Sequence, residues 1–436
     1  NRQNLWINKD IVKLMYQRDH LHSKAISSND PLRQNEYWNS YRQLRNKITS
    51  EIRNLKSDYY HNVVHENVGN PKKIWSVIGN LLPKAASQTP VVDISPDDFN
   101  DYFVSIGEKV AQSIQQKGKG YEWKLPKSIY NFTFPEVDES FVYKMLSSLP
   151  DRSCNDILDF DCKILRTTAS IIAPSLAFII NLSLKSGYLP DDWKVASVSP
   201  AYKFKGDIND KMNYRPLSVV AHISKLVERH VHVHFVDYLE NHKFISIDQS
   251  AYLKSHSTQT ALHRLIDDVL EARDNGELTG LCFLDIQKCF DTINHDILLD
   301  KLDKYGISGV ELKWFESYLS NRSQAVMYNG KRSKLQNVNI GVPQGTILGP
   351  VLFLLYLNDL STVVNNCNIN IYADDVVIYS SDSSLENIQQ TLQNTMQNVF
   401  SWYDSNKLAL STSKCNTMVI DLIDVEGNYV VDIFCN

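Results

Sequence analysis

Residues 369–379 read Ile369-Asn370-Ile371-Tyr372-Ala373-Asp374-Asp375-Val376-Val377-Ile378-Tyr379. Two short runs rich in β-branched and aromatic residues flank a turn of a few residues, the pattern of a hairpin. Two adjacent carboxylates occupy that turn. Like charges side by side repel and desolvate poorly, so folding alone gives no reason to place them there. A divalent cation reverses the sign of that cost, and hard Mg²⁺ prefers such oxygen ligands.

Two further segments, earlier in the chain, follow the same logic. Leu281-Cys-Phe-Leu-Asp285-Ile-Gln-Lys-Cys-Phe290-Asp291 is an apolar run, long enough for a buried strand, that delivers a carboxylate at its end. Such a group is expensive unless it is paired or metal-bound. Gly341-Val-Pro-Gln344-Gly345-Thr-Ile-Leu-Gly349-Pro350 has the glycine and proline density of a shaped loop that a ligand can approach closely, and the apolar run Val351–Leu357 after it reads as helix. Taken singly, a strand-end Asp is most often a cap, an Asp pair a solvated loop, and such a loop an ordinary turn. Together they suggest a two-metal site. Ions about 3.5–4 Å apart would activate a 3′-hydroxyl and neutralise a triphosphate during in-line phosphoryl transfer.

In this order the segments resemble motifs A, B and C of reverse transcriptases, in particular those of LINE-type (non-LTR), jockey-like retrotransposons. Asn213-Tyr-Arg-Pro-Leu-Ser218 resembles their motif 1, and Asp248–Ala261 resembles motif 2. Asn181-Leu-Ser-Leu through Pro190-Asp-Asp-Trp193, then Pro200 and Gly206-Asp207, are similar to the region before it, and Ser411-Thr-Ser-Lys414 to motif D. The resemblance runs from about residue 136 to 421. It implies an α+β right-hand polymerase core with an antiparallel palm sheet: fingers at 136–280, palm at 281–425. It implies Asp285, Asp374 and Asp375 as metal ligands, with the backbone carbonyl of Ile286 assisting. Phe290 would be a steric gate, because a rigid aromatic wall clashes with an added 2′-oxygen; the plainer reading is a core Phe. Gln344 and Gly345 would contact the incoming nucleotide, Lys414 would protonate pyrophosphate unless it is a plain surface lysine, and Arg215 and Lys254 would meet phosphate or form structural ion pairs. Two Mg²⁺ ions, with Mn²⁺ as substitute, an RNA template, a DNA primer and dNTPs follow as expected cofactor and partners.

Several features depart from the family pattern. Leu253 stands where relatives often carry Arg, Ser153-Cys-Asn-Asp156 lacks the usual Gly-x-Asp, and no Tyr-Leu-Gly primer-grip motif appears. Val425–Asn436 resembles nothing in the family. Residues 426–436 are therefore expected to be a truncated tail. The chain is expected to be a fragment without thumb or endonuclease, beginning inside a longer polypeptide and poorly processive.

The net charge of −5 is unevenly spread. Residues 1–84 carry 14 Lys/Arg against 7 Asp/Glu, leaving 31 against 43 for the rest. Tyr41, Leu44, Ile48, Ile52, Leu55 and Tyr59 mark one face of a long helix decorated with Arg42, Arg45, Lys47, Arg53 and Lys56. Asn70-Pro71 opens a second helix through Leu82. This basic helical extension, residues 1–84, resembles the linker of such elements; it is either a solvated pair of helices or an RNA-gripping arm. Residues 85–135 read as a connecting region with a helix from about Pro96 to Ile114. Further helices are expected at 161–186, 217–241 and 257–273.

Seven dispersed cysteines fit a reducing intracellular compartment, nuclear or cytoplasmic. The apolar run Ile171–Leu184 is short for a bilayer and reads as a core helix, so no membrane is expected. No signal peptide is apparent, and no protein partner is inferable. His230, His232 and His234 read as a partly exposed helix surface rather than a metal site. The competing functional readings are an RNA-dependent RNA polymerase or group II intron-type maturase, disfavoured by Phe290 and Tyr372, and a catalytically silent nucleic-acid-binding remnant.

Overall fold

The computed structural model describes residues 6–67, 73–74, 94–113, 127–150, 156–158 and 160–420. Apart from residues 73–74, the helix expected after Asn70-Pro71 lies outside them, as do residues 153–155 of the departing segment and the tail 426–436. By contact the chain forms two units, Asn1–Val91 and Val92–Asn436.

The described part of the first unit is a helical hairpin, α1 (Lys9–Ser27) and α2 (Pro31–Glu66). Asn8 caps α1 by accepting from the Ile11 N–H, and Asp30 caps α2 with Pro31 in the first turn. Ile11, Ala25 and Ile48 are buried in this hairpin. Trp38 meets Tyr41 and His22 edge-on.

The second unit is α+β. It opens with α3 (Pro96–Ser113), α4 (Glu139–Ser147), α5 (Cys162–Thr167) and α6 (Ala169–Ser186). Strands β1 (Val195–Tyr202) and β2 (Tyr214–Val220) are followed by α7 (His222–Asn241), α8 (Thr258–Asp274) and β3 (Leu278–Asp285). Helices α9 (His295–Lys304) and α10 (Gly309–Leu319) lead to β4 (Arg322–Tyr328), β5 (Lys331–Arg332) and β6 (Gln336–Val338). The unit closes with α11 (Gly349–Leu357), β7 (Asn368–Tyr372), β8 (Asp375–Asp382), α12 (Leu385–Ser405) and β9 (Asn416–Ile420).

Two sheets result. One has the order β2-β1-β4-β5 with β6 on β4, and the other β7-β8-β3-β9. The second sheet is antiparallel throughout, and α12 covers it through Ile388, Leu392, Met396 and Val399. At Gly280 of β3 the helix packs closely, and a Cβ there would lie 2.5 Å from the Ile388 side chain. A small second core, Phe99 and Phe103 of α3 with Val198, Tyr214 and Val326, backs the first sheet. Thus α3, in the stretch read as a connector, supports that sheet.

Three expectations need correction. The helix expected at 161–186 breaks at Thr168, where α5 ends and α6 begins. Residues 217–220 of the helix expected at 217–241 are strand, because Leu217–Val220 pair with Ala196–Ser199 of β1. His230 is buried, not partly exposed; its Nε2 is hydrogen-bonded to the Pro135 carbonyl, which fits a structural role. One described helix, α6, is long and apolar enough to cross a membrane by length and composition. Its Ala173, Ala177, Ile180 and Leu184 pack in the main core, while Ile171, Phe178 and Leu182 are exposed.

Candidate active site

The hairpin expected at 369–379 is β7–β8, and its pairing explains the geometry of the site. Tyr372 pairs with Asp375, so Ala373 and Asp374 form a two-residue loop. Ala373 has φ +55°, the positive first-position value of a type II′ turn, which follows the twist of the flanking strands. The Gln249 side chain accepts from the Ala373 N–H at 3.3 Å, and Ser250 N–H and Ile371 N–H bond across to Ile371 and Asp248 carbonyls. The Asp248–Ala251 segment thus braces the turn.

On the neighbouring strand Asp285 stands directly opposite Asp375. Residues opposite each other in an antiparallel pair lie on one face, with Cβ atoms about 4.5–5.5 Å apart. Asp285 and Asp375 therefore meet on that face, and Asp374 is the next residue. Burial pushes the Asp375 carboxyl above the usual range; the charges of Asp374 and Asp285 push it further, and Lys414 opposes them. Lys414 Nζ contacts both Asp285 oxygens, at 2.8 and 3.1 Å. It is brought there by residues 409–411, which lie against the end of β3: Gln287 N–H donates to Ala409 and Ser411 N–H to Asp285. Those two bonds flank the Ile286–Leu410 bridge and leave the Ile286 carbonyl out of the pairing.

The donor set fits hard divalent cations. The charges of Asp374 and Asp285 raise the proton affinity of Asp375, which a cation would relieve, and all the donors are oxygens. Among the described residues no three His, Cys, Asp or Glu side chains are already gathered as a metal-ligand set. Asp285 is instead held by Lys414.

Phe290 lies in the turn Cys289–Asp291 that follows β3. Its ring stacks on Phe353 of α11 with centroids 4.7 Å apart, and its carbonyl accepts from the Val342 N–H. The Gly341–Gly349 loop runs beside it. Gln344 Nε2 donates to Asp291 at 3.0 Å, and the Gln344 carbonyl accepts from Ser218 of β2. Gly345 has φ +111°, and a Cβ there would lie 2.6 Å from the Ser218 carbonyl, so a side chain would push the loop off β2. Burial raises the Asp291 carboxyl to about 6, with Lys288, Gln344 and Lys203 opposing.

Arg215 is exposed on β2, and its charge reaches Lys203 at the end of β1. The Lys203 ammonium is lowered to about 8, first by burial and then by Lys288, Arg215 and Lys414. Lys203, Arg215, Lys288 and Lys414 are thus neighbours beside the carboxylates. Lys203 and Lys288 carry no signal in the sequence, since only the folding of the β1–β2 pair toward the end of β3 brings them together. Lys254, expected to join them, is exposed on the loop before α8 and makes no described contact with these residues.

The family model for reverse transcriptase (RNA-dependent DNA polymerase) matches residues 205–429, over half of the chain. The chain belongs to the reverse transcriptase family. The LINE-type resemblance read from the motifs is borne out by the relatives of this chain. It is 24% identical over 432 residues to the probable RNA-directed DNA polymerase from transposon BS of Drosophila melanogaster, covering 91% of the chain and 46% of the relative. It is 23% identical to the probable RNA-directed DNA polymerase from transposon X-element of the same fly, covering 95% and 47%. It is 30% identical over 247 residues to the RNA-directed DNA polymerase from the mobile element jockey, covering 55% and 27%. The chain spans about half the length, or less, of these curated relatives.

Proposed function

We propose that this chain carries the core of an RNA-directed DNA polymerase, adding deoxynucleotides to a primer 3′-end on an RNA template. The observation that carries the reading is the meeting of Asp285 and Asp375 across β3 and β8, beside Asp374, with Phe290 and the Gln344–Gly345 loop bordering them. In this reading residues 281–425, centred on the β7-β8-β3-β9 sheet, are the palm, residues 136–280 with β1 and β2 are the fingers, β4, β5 and β6 extend the β1–β2 sheet from the palm segment, and residues 1–84 are a basic arm.

Asp285, Asp374 and the Ile286 carbonyl, with Asp375 adjacent, would hold two Mg²⁺ ions, or Mn²⁺ in their place. When bound, such ions lower the pKa of the attacking hydroxyl and neutralise the leaving pyrophosphate. Phe290 borders the sugar and excludes a 2′-hydroxyl, its ring backed by Phe353. Gln344 and Gly345 offer a side-chain amide and an open backbone to the nucleotide. Lys203, Arg215 and Lys288 supply positive charge for the triphosphate, and Lys254, exposed on the loop before α8, is a further candidate. Lys414, now paired with Asp285, is the candidate proton donor to pyrophosphate, and a cation held by Asp285 would compete for that carboxylate. The chain works inside the cell, in a nuclear or cytoplasmic ribonucleoprotein.

The Lys203 ammonium makes nucleotide affinity pH-dependent. Its pKa is depressed to about 8, so the charge is present below that pH and lost as pH rises through it. The KM for dNTP is expected to rise severalfold between pH 7 and 9. The rise should flatten in Lys203→Arg, whose guanidinium stays charged. Steady-state kinetics across that range check this, and an identical rise in the Arg variant would remove Lys203 from the role.

The arm supports nucleic-acid binding through one side of α2. Arg42, Arg45, Arg53 and Lys56 are exposed at steps that return to the same side, with Thr49 between them and no carboxylate on that side. They span about 21 Å, enough for three or four phosphates. Changing all four to Gln is expected to weaken RNA binding uniformly across sequences. It should also reduce the slope of log affinity against log salt by about three. An unchanged slope would leave the stripe as solvated surface.

The reading as a whole is tested by primer extension on a homopolymer RNA template with Mg²⁺. Incorporation of the complementary dNTP is expected. Binding of template–primer with no incorporation would make the chain a silent nucleic-acid-binding remnant.

A further inference from the structure

The Gly341–Gly349 loop is held from behind by a carboxylate that the mechanism above does not use. Glu228, in α7, is 1% exposed. Its Oε2 accepts from the Ile347 N–H at 2.6 Å and the Leu348 N–H at 3.3 Å. Leu348 caps α11 without a side-chain hydrogen bond, and the first N–H groups of a helix have no intrahelical partner. Glu228 satisfies two donors at that entry from another element. A negative charge there is also favoured by the helix dipole.

A fully buried carboxylate is costly unless its surroundings answer the charge. Burial does raise the Glu228 carboxyl, and the charge of Arg322, the two backbone donors and Tyr318 all act against that rise. Arg322 lies over the Tyr318 ring at 5.0 Å and donates to the Tyr318 carbonyl at 2.9 Å. Thr346 closes the group: its hydroxyl donates to Pro343 and accepts from Gly349. Glu228 therefore sits in a polar node under the C-terminal half of the loop. Asp291 and Ser218 hold the other half through Gln344. Gln344 and Ile347 are three residues apart, so a shift at one anchor reaches the other within a single turn of chain.

We propose that Glu228 is a positioning residue for nucleotide binding: by tethering Ile347 and Leu348 it fixes the height of Gln344 and Gly345 against the incoming dNTP. The proposal rests on the polymerase reading above. An apolar residue of the same size would fill the space but leave both N–H groups without an acceptor.

The test compares Glu228→Gln, which retains one acceptor oxygen, with Glu228→Leu, which retains none, in the full chain. Amide hydrogen exchange at Ile347 and Leu348, primer-extension kinetics, template–primer affinity and thermal unfolding are measured on each. In Glu228→Leu both amides should lose protection. The KM for dNTP should rise about tenfold, the size expected from losing a charge-assisted contact, with template–primer affinity unchanged. Glu228→Gln should recover part of both effects, and it carries the test alone if the Leu variant does not fold. Protection unchanged at the two amides overturns the tether. Protection lost with an unchanged KM overturns its role in positioning. If the unsubstituted chain extends no primer, the polymerase reading itself fails; the exchange arm then decides the tether, and thermal shifts with Mg–dATP decide whether nucleotide binding depends on it.

Discussion

Asp285→Asn is expected to abolish primer extension, by a factor on the order of 10³ or more, while leaving the fold at least as stable. The side chains are nearly isosteric, so β3 and its pairing with β8 stay in place. What changes is charge. Asp285 and Asp374 both push the Asp375 carboxyl upward, so removing one negative charge from the trio relieves repulsion. Against that relief stands the broken ion pair with Lys414, whose side chain is 66% exposed, and exposed pairs of this kind contribute about 0–1 kcal/mol. Loss of activity with an unchanged or raised melting temperature is the signature of carboxylates kept for chemistry at the expense of stability. Asp374→Asn should behave alike. Primer extension on poly(rA)–oligo(dT) and calorimetry read the two effects separately. Retention of even a tenth of the parental activity in both variants would remove the carboxylates from the reaction.

Phe290→Val is expected to raise ribonucleotide use relative to deoxynucleotide by about 10–10², with a much smaller change in the deoxynucleotide rate. The backbone of Phe290 is held by Val342 N–H and its turn by the Asp291 N–H bond to Lys288, neither of which depends on the ring. The ring itself rests on Phe353 at 24° between planes, so it is a braced wall and not a free rotor. Shortening it opens space where a 2′-oxygen would otherwise clash. Removing a steric contact of this size changes discrimination by about 1–3 kcal/mol, which sets the range given. Because Phe290 also packs against the main core, some stability is lost, and less than for full truncation to Ala. Ratios of kcat/KM for rNTP and dNTP decide the matter. A destabilised variant with an unchanged ratio would make Phe290 a core residue only.

Much of the carboxylate site is legible in the amino-acid sequence, because its information is local. The runs 281–284, 369–372 and 376–379 lie within β3, β7 and β8, and each carboxylate sits at a strand end or in the turn. The first sheet is not legible in the same way. Its β1 and β2 contain Pro200 and Pro216, which pair with each other across the ladder, and neither strand shows a clean apolar alternation. The four residues Leu217–Val220 merge in pattern with the helix that follows, since a short apolar run has no period of its own. The burial of His230 is hidden for a similar reason: its partner is a backbone carbonyl at Pro135, 95 residues away, which leaves no trace in side-chain pattern.

The amino-acid sequence by itself determined the family, the hairpin with its acidic turn, the strand that ends in Asp285 and the glycine-rich loop, because turn chemistry and strand patterning act over a few residues. Only the tertiary structure decided which side chains share a space. The opposition of Asp285 and Asp375, Lys414 on Asp285, the grouping of Lys203 with Lys288, and Glu228 beneath Ile347 all join residues distant in the chain. Such contacts are set by strand register and helix packing, and a register is the outcome of the whole core closing at once.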